Sequence, residues 1–332
     1  MLFEEELARA LPERDLMLTI GVFDGVHLGH QFLIEKLRKK AAREGLLSGV
    51  VTFHRHPRLV LSPESKLTYL TSLKERIRLL ESLGVAHIIT LSFTPELSQL
   101  GAREFIGLLK RYLRMRGLVI GPDFALGRGR EGDAPTLKAL GEELHFSVEV
   151  VPPMVWQGEV VSSTAIRHAL SRGDVMAVSG LLGRRFTLAG LVTKGDARGR
   201  ILGIPTANLI PDPEQALPAD GVYATRVFRP FKTGLSQRGK LETAARLHDL
   251  GKNEISETVY QAVTNIGIRP TFGGGQRIIE VHLLDFEGEL YGYEIKIELV
   301  ERLRGEERFS GAEELKAQIM KDVEQARALL AS

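Results

Sequence analysis

Cysteine is absent from the chain, which excludes disulfides, thiolate metal ligands and a cysteine nucleophile. Long apolar runs are absent as well, and nothing approaches the ~18 residues that a membrane helix needs. Neither sign of charge is in excess: 44 Lys and Arg stand against 42 Asp and Glu, so nonspecific binding to a phosphate backbone has no large electrostatic footprint. One tryptophan and six tyrosines are a poor supply of stacking platforms for an oligonucleotide-binding barrel, and no nucleic-acid partner is expected. The first residues, "MLFEEELARALPERD", lack the basic stretch and apolar run of a targeting signal, so a cytoplasmic protein is expected.

A chain of 332 residues suits two domains of ordinary size. The first half alternates strand and helix patterns. "LMLTIGVF" reads as a buried strand. "HQFLIEKLRKKAAREG" follows as a helix with Phe32, Leu33, Leu37 and Ala41 at helical spacing and Gly45 as its stop. "LLSGVVTF", a helix capped by Ser72 and ended by Gly84, and "AHIITLSF" repeat the cycle. A helix over "AREFIGLLKRYLRMRG", a strand at "LVIG" and a strand at "FSVEVVPP" complete a βαβ order, which calls for a parallel sheet covered by helices on both faces. After about Gly183 short alternating runs predict a small antiparallel barrel. A last amphipathic helix should lay Leu315, Ile319, Val323 and Ala326 on it. The domains are therefore placed at 1–183 and 184–332.

The stretch "GVFDGVHLGH", residues 21–30, falls where the first strand turns into the first helix, the usual ligand crevice of an open parallel sheet. Gly25 and Gly29 allow a tight turn and close backbone approach. The helix that follows offers free N–H groups to an anion, and His27 and His30 supply two donors for oxygens that gain charge. The residues alone leave open a turn with two satisfied histidines. No P-loop and no G-x-G-x-x-G follows the first strand, which disfavours P-loop enzymes and nicotinamide dehydrogenases. No third ligand stands near the two histidines to suggest zinc.

"GVFDGVHLGH" resembles the first motif of the bacterial bifunctional riboflavin kinase/FMN adenylyltransferase (FAD synthetase) family, whose N-terminal module is a Rossmann-like HxGH nucleotidyltransferase. "TFHRHP" is similar to the family's second motif at His56 and Pro57, with Arg55 in place of proline. "GPDFALGRGREGD" is similar to the third at Gly121, Asp123, Phe124, Gly127, Arg130 and Gly132, with Leu126 where phenylalanine is usual. "VSSTAIR" is similar to the fourth at Ser162, Ser163, Thr164, Ile166 and Arg167. Taken alone, "SST" before an apolar helical run is also a common capping pattern. The resemblance implies that His27, His30 and Arg167 are catalytic in adenylyl transfer. It further implies that Gly21, Phe23, Asp24, Gly25, Gly29, His56, Asp123, Arg130, Ser162, Ser163 and Thr164 bind the nucleotide or flavin.

In the second half, "GLVTKGDARGRILGIPTANLIP" sets glycines at 195, 199 and 203 in a loop able to fold over phosphates. Thr206 and Asn208 follow two residues apart, so on a strand they share one face; such uncharged oxygen donors suit Mg²⁺. A glycine-rich hairpin before a Thr/Asn turn is the plainer reading of the residues. The segment resembles the nucleotide and magnesium motif of the riboflavin kinase module. By that resemblance Gly195, Arg198, Gly199, Gly203, Thr206 and Asn208 bind nucleotide, with Thr206 and Asn208 holding Mg²⁺. "GVYA", "NIGIRPTF" and "IEVHLLDFEGELYG" are similar to later motifs, which makes Glu280 the implied base for the ribityl 5′-hydroxyl. An extension over about 229–259 is longer than the family's connection; its His248 and Asp249 lack a further ligand nearby.

The expectation is a two-domain, ATP- and Mg²⁺-dependent enzyme that phosphorylates riboflavin to FMN and adenylylates FMN to FAD. The oligomeric state stays open. The alternative is a different HxGH nucleotidyltransferase with a noncatalytic flavin-binding barrel.

Overall fold

The computed structural model describes residues 2–193, 204–228, 258–269 and 276–331. The glycine-rich loop with Gly195, Arg198, Gly199 and Gly203, and the extension with His248 and Asp249, lie outside the described residues. Two compact units are present, one of residues 1–167 with 181–183, the other of 168–180 with 184–332.

The first unit is a five-stranded parallel sheet of β1 (Leu16–Ile20), β2 (Leu47–Phe53), β3 (His87–Leu91), β4 (Met115–Ile120) and β5 (Ser147–Val150) in the order β3-β2-β1-β4-β5. Its strands are apolar because both faces are covered. Leu16, Leu18 and Ile20 of β1, Val51 and Phe53 of β2, and Leu118 and Ile120 of β4 meet Phe3, Leu7, Phe105, Ile106 and Leu109 from helices on one face. The alternate residues Met17, Val50 and Val119 meet Ile34, Leu37, Ala41 and Leu80 on the other. Strand order reverses between β1 and β4, so the loop after β1 opens at the switch point.

Several boundaries move relative to the sequence reading. The first βα helix spans Leu28–Arg43 and buries Ile34, Leu37 and Ala41, leaving Phe32 and Leu33 half-buried. Its stop is as expected, with Gly45 in the left-handed region at φ +68°. Ser72 caps the helix Leu73–Ser82 by accepting from Glu75 N at 3.2 Å. The helix Ala102–Leu113 ends sooner than "LRMRG" suggested. Arg114 turns left-handed at φ +49°, and the next six residues join β1 as β4. β6 (Val155–Trp156) and β7 (Glu159–Val160) form a small hairpin before the helix Ser163–Ser171.

The second unit is a closed antiparallel barrel of β8 (Thr187–Thr193), β9 (Ala207–Pro211), β10 (Gly221–Phe228), β11 (Val259–Arg269), β12 (Gln276–Leu283) and β13 (Glu294–Arg304) in the order β10-β11-β12-β9-β8-β13. β13 pairs back onto β10, which leaves no open edge. The helix Ala312–Leu330 buries Val323, Ala326 and Leu330 against Val222, Ala224, Val263 and Val300. Ile319 packs beside them, and Leu315 is only half-buried. Asp322 is buried on that helix because the Arg304 guanidinium grips its carboxylate at 2.8–3.1 Å.

Candidate functional site

In the first unit β1 ends at Ile20, and the chain makes a compact loop in which Phe23 (φ +54°), Gly25 (φ +81°) and Val26 (φ +39°) are all left-handed. Such a run is costly for Phe and Val and persists only where the surroundings fix it. Asp24 fixes it from inside. Only 2% exposed, its carboxylate accepts the backbone N–H of Leu70 at 3.0 Å and of Thr71 at 3.1 Å, and it pairs with Arg167. Thr71 Oγ1 accepts from Gly25 N at 3.0 Å, and Ser163 Oγ donates to Asp24 O at 2.9 Å. Arg167 also donates Nε to Thr68 O at 2.8 Å. Ser162 Oγ accepts from Ala165 N at 3.1 Å. The capping role and the joining role of the "SST" hydroxyls are thus both present, while Thr164 is exposed.

The loop delivers His27 as the N-cap of the helix Leu28–Arg43, where its Nδ1 accepts from His30 N at 3.3 Å. An accepting Nδ1 carries no proton, which leaves Nε2 as the nitrogen able to donate. The His30 ring stacks on it with centroids 3.6 Å apart, and the Phe23 ring meets His30 edge-on at 5.1 Å. Burial above all, with help from the nearby His27 and Arg76, holds His30 well below the usual histidine range. Gly29 leaves little room for a side chain: a Cβ there would press at 3.1 Å on His27 Nδ1 and at 3.2 Å on Val161 O.

His56 caps the helix Pro57–Leu61, its Nδ1 accepting from Arg58 N at 3.0 Å, and its own N–H donates to Tyr69 Oη at 2.7 Å. Burial, and then Arg167, lower its pKa. Arg55, where the resembled motif has proline, is exposed. Asp123 and Arg130 lie together on an exposed loop, with Arg130 Nη2 donating to Asp123 O at 2.8 Å. Leu126, the other departure, is 8% exposed in the core, so this change is one of packing volume. The structure thus joins Asp24 to Ser163 and Arg167, stacks His30 on His27 three residues further along the same loop, and leaves Ser162 as a cap for Ala165 N. Leu70, Thr71 and Arg76, which the sequence reading did not single out, lie beside the same loop.

In the barrel, Glu280 on β12 pairs in register with Asn208 on β9 and with Asn265 on β11. Directly opposed residues of antiparallel strands project from the same face, so the three oxygen-bearing side chains form one row. Thr206 stands one residue ahead of β9. Thr206, Asn265 and Glu280 line a cavity of about 460 Å³ whose apolar side includes Ile278, Phe309 and Leu315. That size and mixture suit a flat aromatic ligand with a polar tail. Arg304 Cζ lies 5.6 Å from the Phe309 ring, so the Arg304–Asp322 pair also holds a cavity wall. Among the described residues no cluster of three or more His, Asp or Glu forms a cage for a metal ion. Thr206 and Asn208 offer hard neutral oxygens, a donor set that fits a Mg²⁺ sharing its shell with phosphates and water.

Comparison with known proteins matches these two units in turn. The FAD synthetase family model matches residues 10–165, and the riboflavin kinase family model matches residues 182–330. The bifunctional riboflavin kinase/FMN adenylyltransferase of Escherichia coli K12 is 36% identical over 317 residues, covering 95% of this chain and 93% of the relative. The Bacillus subtilis 168 protein of the same name is 34% identical over 331 residues, covering 98% and 94%. A solved structure named a macrolide-efflux protein from Streptococcus pneumoniae superposes with a TM-score of 0.82 at 28% identity, covering 98% of this chain and 97% of that one. Among the described residues no helix is long and apolar enough to cross a membrane. The FAD synthetase match over the first unit and the riboflavin kinase match over the barrel speak against a different HxGH nucleotidyltransferase with a noncatalytic flavin-binding barrel. Two consecutive units, matched by their own family models over residues 10–165 and 182–330, and full-length relatives at 34–36% identity mean that the chain belongs to the bifunctional riboflavin kinase/FMN adenylyltransferase family.

Proposed function

We propose that the two reactions of the family are divided between the two sites. The loop after β1 carries adenylyl transfer, within residues 1–183, and the Asn208–Glu280–Asn265 row carries phosphorylation, within 184–332. In the barrel, Glu280 takes the proton of the riboflavin 5′-hydroxyl as its oxygen attacks the γ-phosphorus of ATP; FMN forms and ADP leaves. A phosphoryl transition state has little need of a strong base, so positioning between two asparagines suits the role. Thr206 and Asn208 would hold Mg²⁺, which neutralises phosphate charge when bound. Phe309, Leu315 and Ile278, which line the cavity, would take the isoalloxazine ring.

In the first unit the FMN phosphate attacks the α-phosphorus of a second ATP, and pyrophosphate leaves. His27 and His30 donate to oxygens that gain charge, and the N-terminus of the helix Leu28–Arg43 faces the same anion. Arg167 adds a permanent positive charge already oriented by Asp24 and Thr68, and Ser162, Ser163 and Thr164 line that end of the helix Ser163–Ser171. Gly21, Phe23, Gly25 and Gly29 shape the loop, His56 stands beside it, and Asp123 and Arg130 lie near the nucleotide or flavin. Both reactions draw on ATP, and we place them in the cytoplasm. The observation that carries the division is the register that sets Glu280 between Asn208 and Asn265. Asn208→Ala should raise the Mg²⁺ concentration needed for FMN formation and leave that for FAD formation unchanged. An equal shift in both steps would contradict the division.

A further inference from the structure

Among the described residues no other arginine or lysine is as enclosed as Arg76, which is 1% exposed on the inner face of the helix Leu73–Ser82, one turn before Leu80. Enclosing a guanidinium carries a desolvation cost of several kcal/mol unless its surroundings compensate. Here Nη1 donates to Phe53 O at 3.0 Å and lies 3.5 Å from Thr52 Oγ1, and Cζ lies 5.7 Å from the Tyr69 ring. The nearby Asp24 carboxylate favours the charged form, against the burial that opposes it. Nε finds no hydrogen-bond partner among the described residues, so this cation is not held by saturation of its donors.

Every one of these contacts leads to a segment of the adenylyl-transfer site. Thr52 Oγ1 donates to Val22 O at 3.0 Å, the residue before Phe23 and Asp24. Tyr69 Oη accepts from His56 N at 2.7 Å. Phe53 O closes β2 just ahead of His54, Arg55 and His56. We propose that Arg76 is a positioning residue for adenylyl transfer, a buried cation that locks the end of β2 to the 21–30 loop and to the segment carrying His56. This rests on the assignment of adenylyl transfer to that loop.

The same charge has an electrostatic consequence. His30 is faced by His27 from the cap of its own helix, by the Phe23 ring and by Arg76 from the helix Leu73–Ser82; burial is the largest cause of its lowered pKa, and both His27 and Arg76 add to it. His56 is faced by Arg58 from its own helix, Arg167 from the helix Ser163–Ser171, Tyr69 and Arg76, with Asp24 opposing the cations. His27 and His56 use Nδ1 as acceptors for helix caps, which protonation would break. Removing the Arg76 charge should therefore let His30 and His56 protonate at higher pH.

The test follows FMN-to-FAD conversion by the full chain across acid to alkaline pH, for Arg76→Met, Arg76→Lys and His30→Ala. Arg76→Met is expected to lower kcat by about 100-fold, the scale of a small misplacement of catalytic groups, and to move the acid limb of the profile to higher pH. Arg76→Lys keeps the charge but not the planar fork, so it should return the acid limb to its parental position with kcat still reduced. An acid limb unmoved in Arg76→Met would overturn the proposal. Should the methionine variant not fold, as read by circular dichroism, Arg76→Lys decides alone: a reduced kcat on the parental acid limb supports the proposal, and an unchanged kcat overturns it. His30→Ala separates this from the site assignment. Undiminished FAD formation in that variant would remove the assignment itself, whereas its loss alongside a parental Arg76→Met profile would remove only the role of Arg76.

Discussion

The two sites are built by opposite means. In the first unit, Leu70, Thr71, Ser163 and Arg167 are drawn around Asp24 and its buried carboxylate, and the ring stack and helix caps are made by the loop's own residues. In the barrel, three side chains reach one row because three neighbouring strands are in register, and the row opens on a cavity. A loop site of the first kind concentrates its dependence on a hub. A register site of the second kind spreads positioning over many ladder bonds and lets the Glu280 carboxylate be changed without disturbing the strands.

That contrast is broken most severely at the hub. Asp24→Ala removes the acceptor for two N–H groups and strands the Arg167 charge, so it should cost about 3–5 kcal/mol of stability. FAD formation should vanish while FMN formation persists; thermal unfolding and separate assays of the two steps check this. Glu280→Gln, by contrast, should leave unfolding almost unchanged yet slow FMN formation by about 10²–10⁴-fold, the usual span for a lost general base. Conversion of supplied FMN to FAD should not change. Gly29→Ala sharpens the comparison further, since its methyl presses on the His27 ring and Val161 O. Adenylyl transfer should fall by about 100-fold, with the kinase step untouched in the same preparation.

The smallest effect is on pH. His30 and His56 have folded pKa values below their unfolded ones. Below about pH 6.5, the ordinary histidine value, the unfolded chain binds more protons than the folded one, so stability rises with pH and is lost progressively on acidification. The melting temperature of the first unit should drop as pH falls through that window, and His30→Gln should flatten the drop. A melting temperature that rose on acidification would contradict the lowered pKa of His30.

Much of the loop site was legible because it uses residues that ordinary turns do not need. Gly25 sits at positive φ, Gly29 leaves room for a ring, and paired histidines flank it, all within ten residues. The hub itself was less visible. Asp24 looked like one motif residue among several, since nothing local says that it would meet Leu70, Thr71 and Arg167. Arg76 had a weak signal: a charged residue one turn before Leu80, on the apolar stripe of its helix. In the barrel the sequence offered Thr206, Asn208 and Glu280 by resemblance, but Asn265 as a neighbour of Glu280 follows only from strand pairing, which no spacing in one sequence determines. The end of the helix Ala102–Leu113 was misplaced for a similar reason: "MRG" continues a helical pattern, and pairing with β1 overrides it.

The separation of the two sites is the central claim, and one assay reaches it directly: riboflavin, ATP and Mg²⁺ supplied to the full chain, with FMN and FAD followed separately. His30→Ala should accumulate FMN and stop there, and Glu280→Ala should leave riboflavin unconverted while still turning supplied FMN into FAD. Either folded variant blocking both steps would contradict the division of the chemistry between the β1 loop and the barrel.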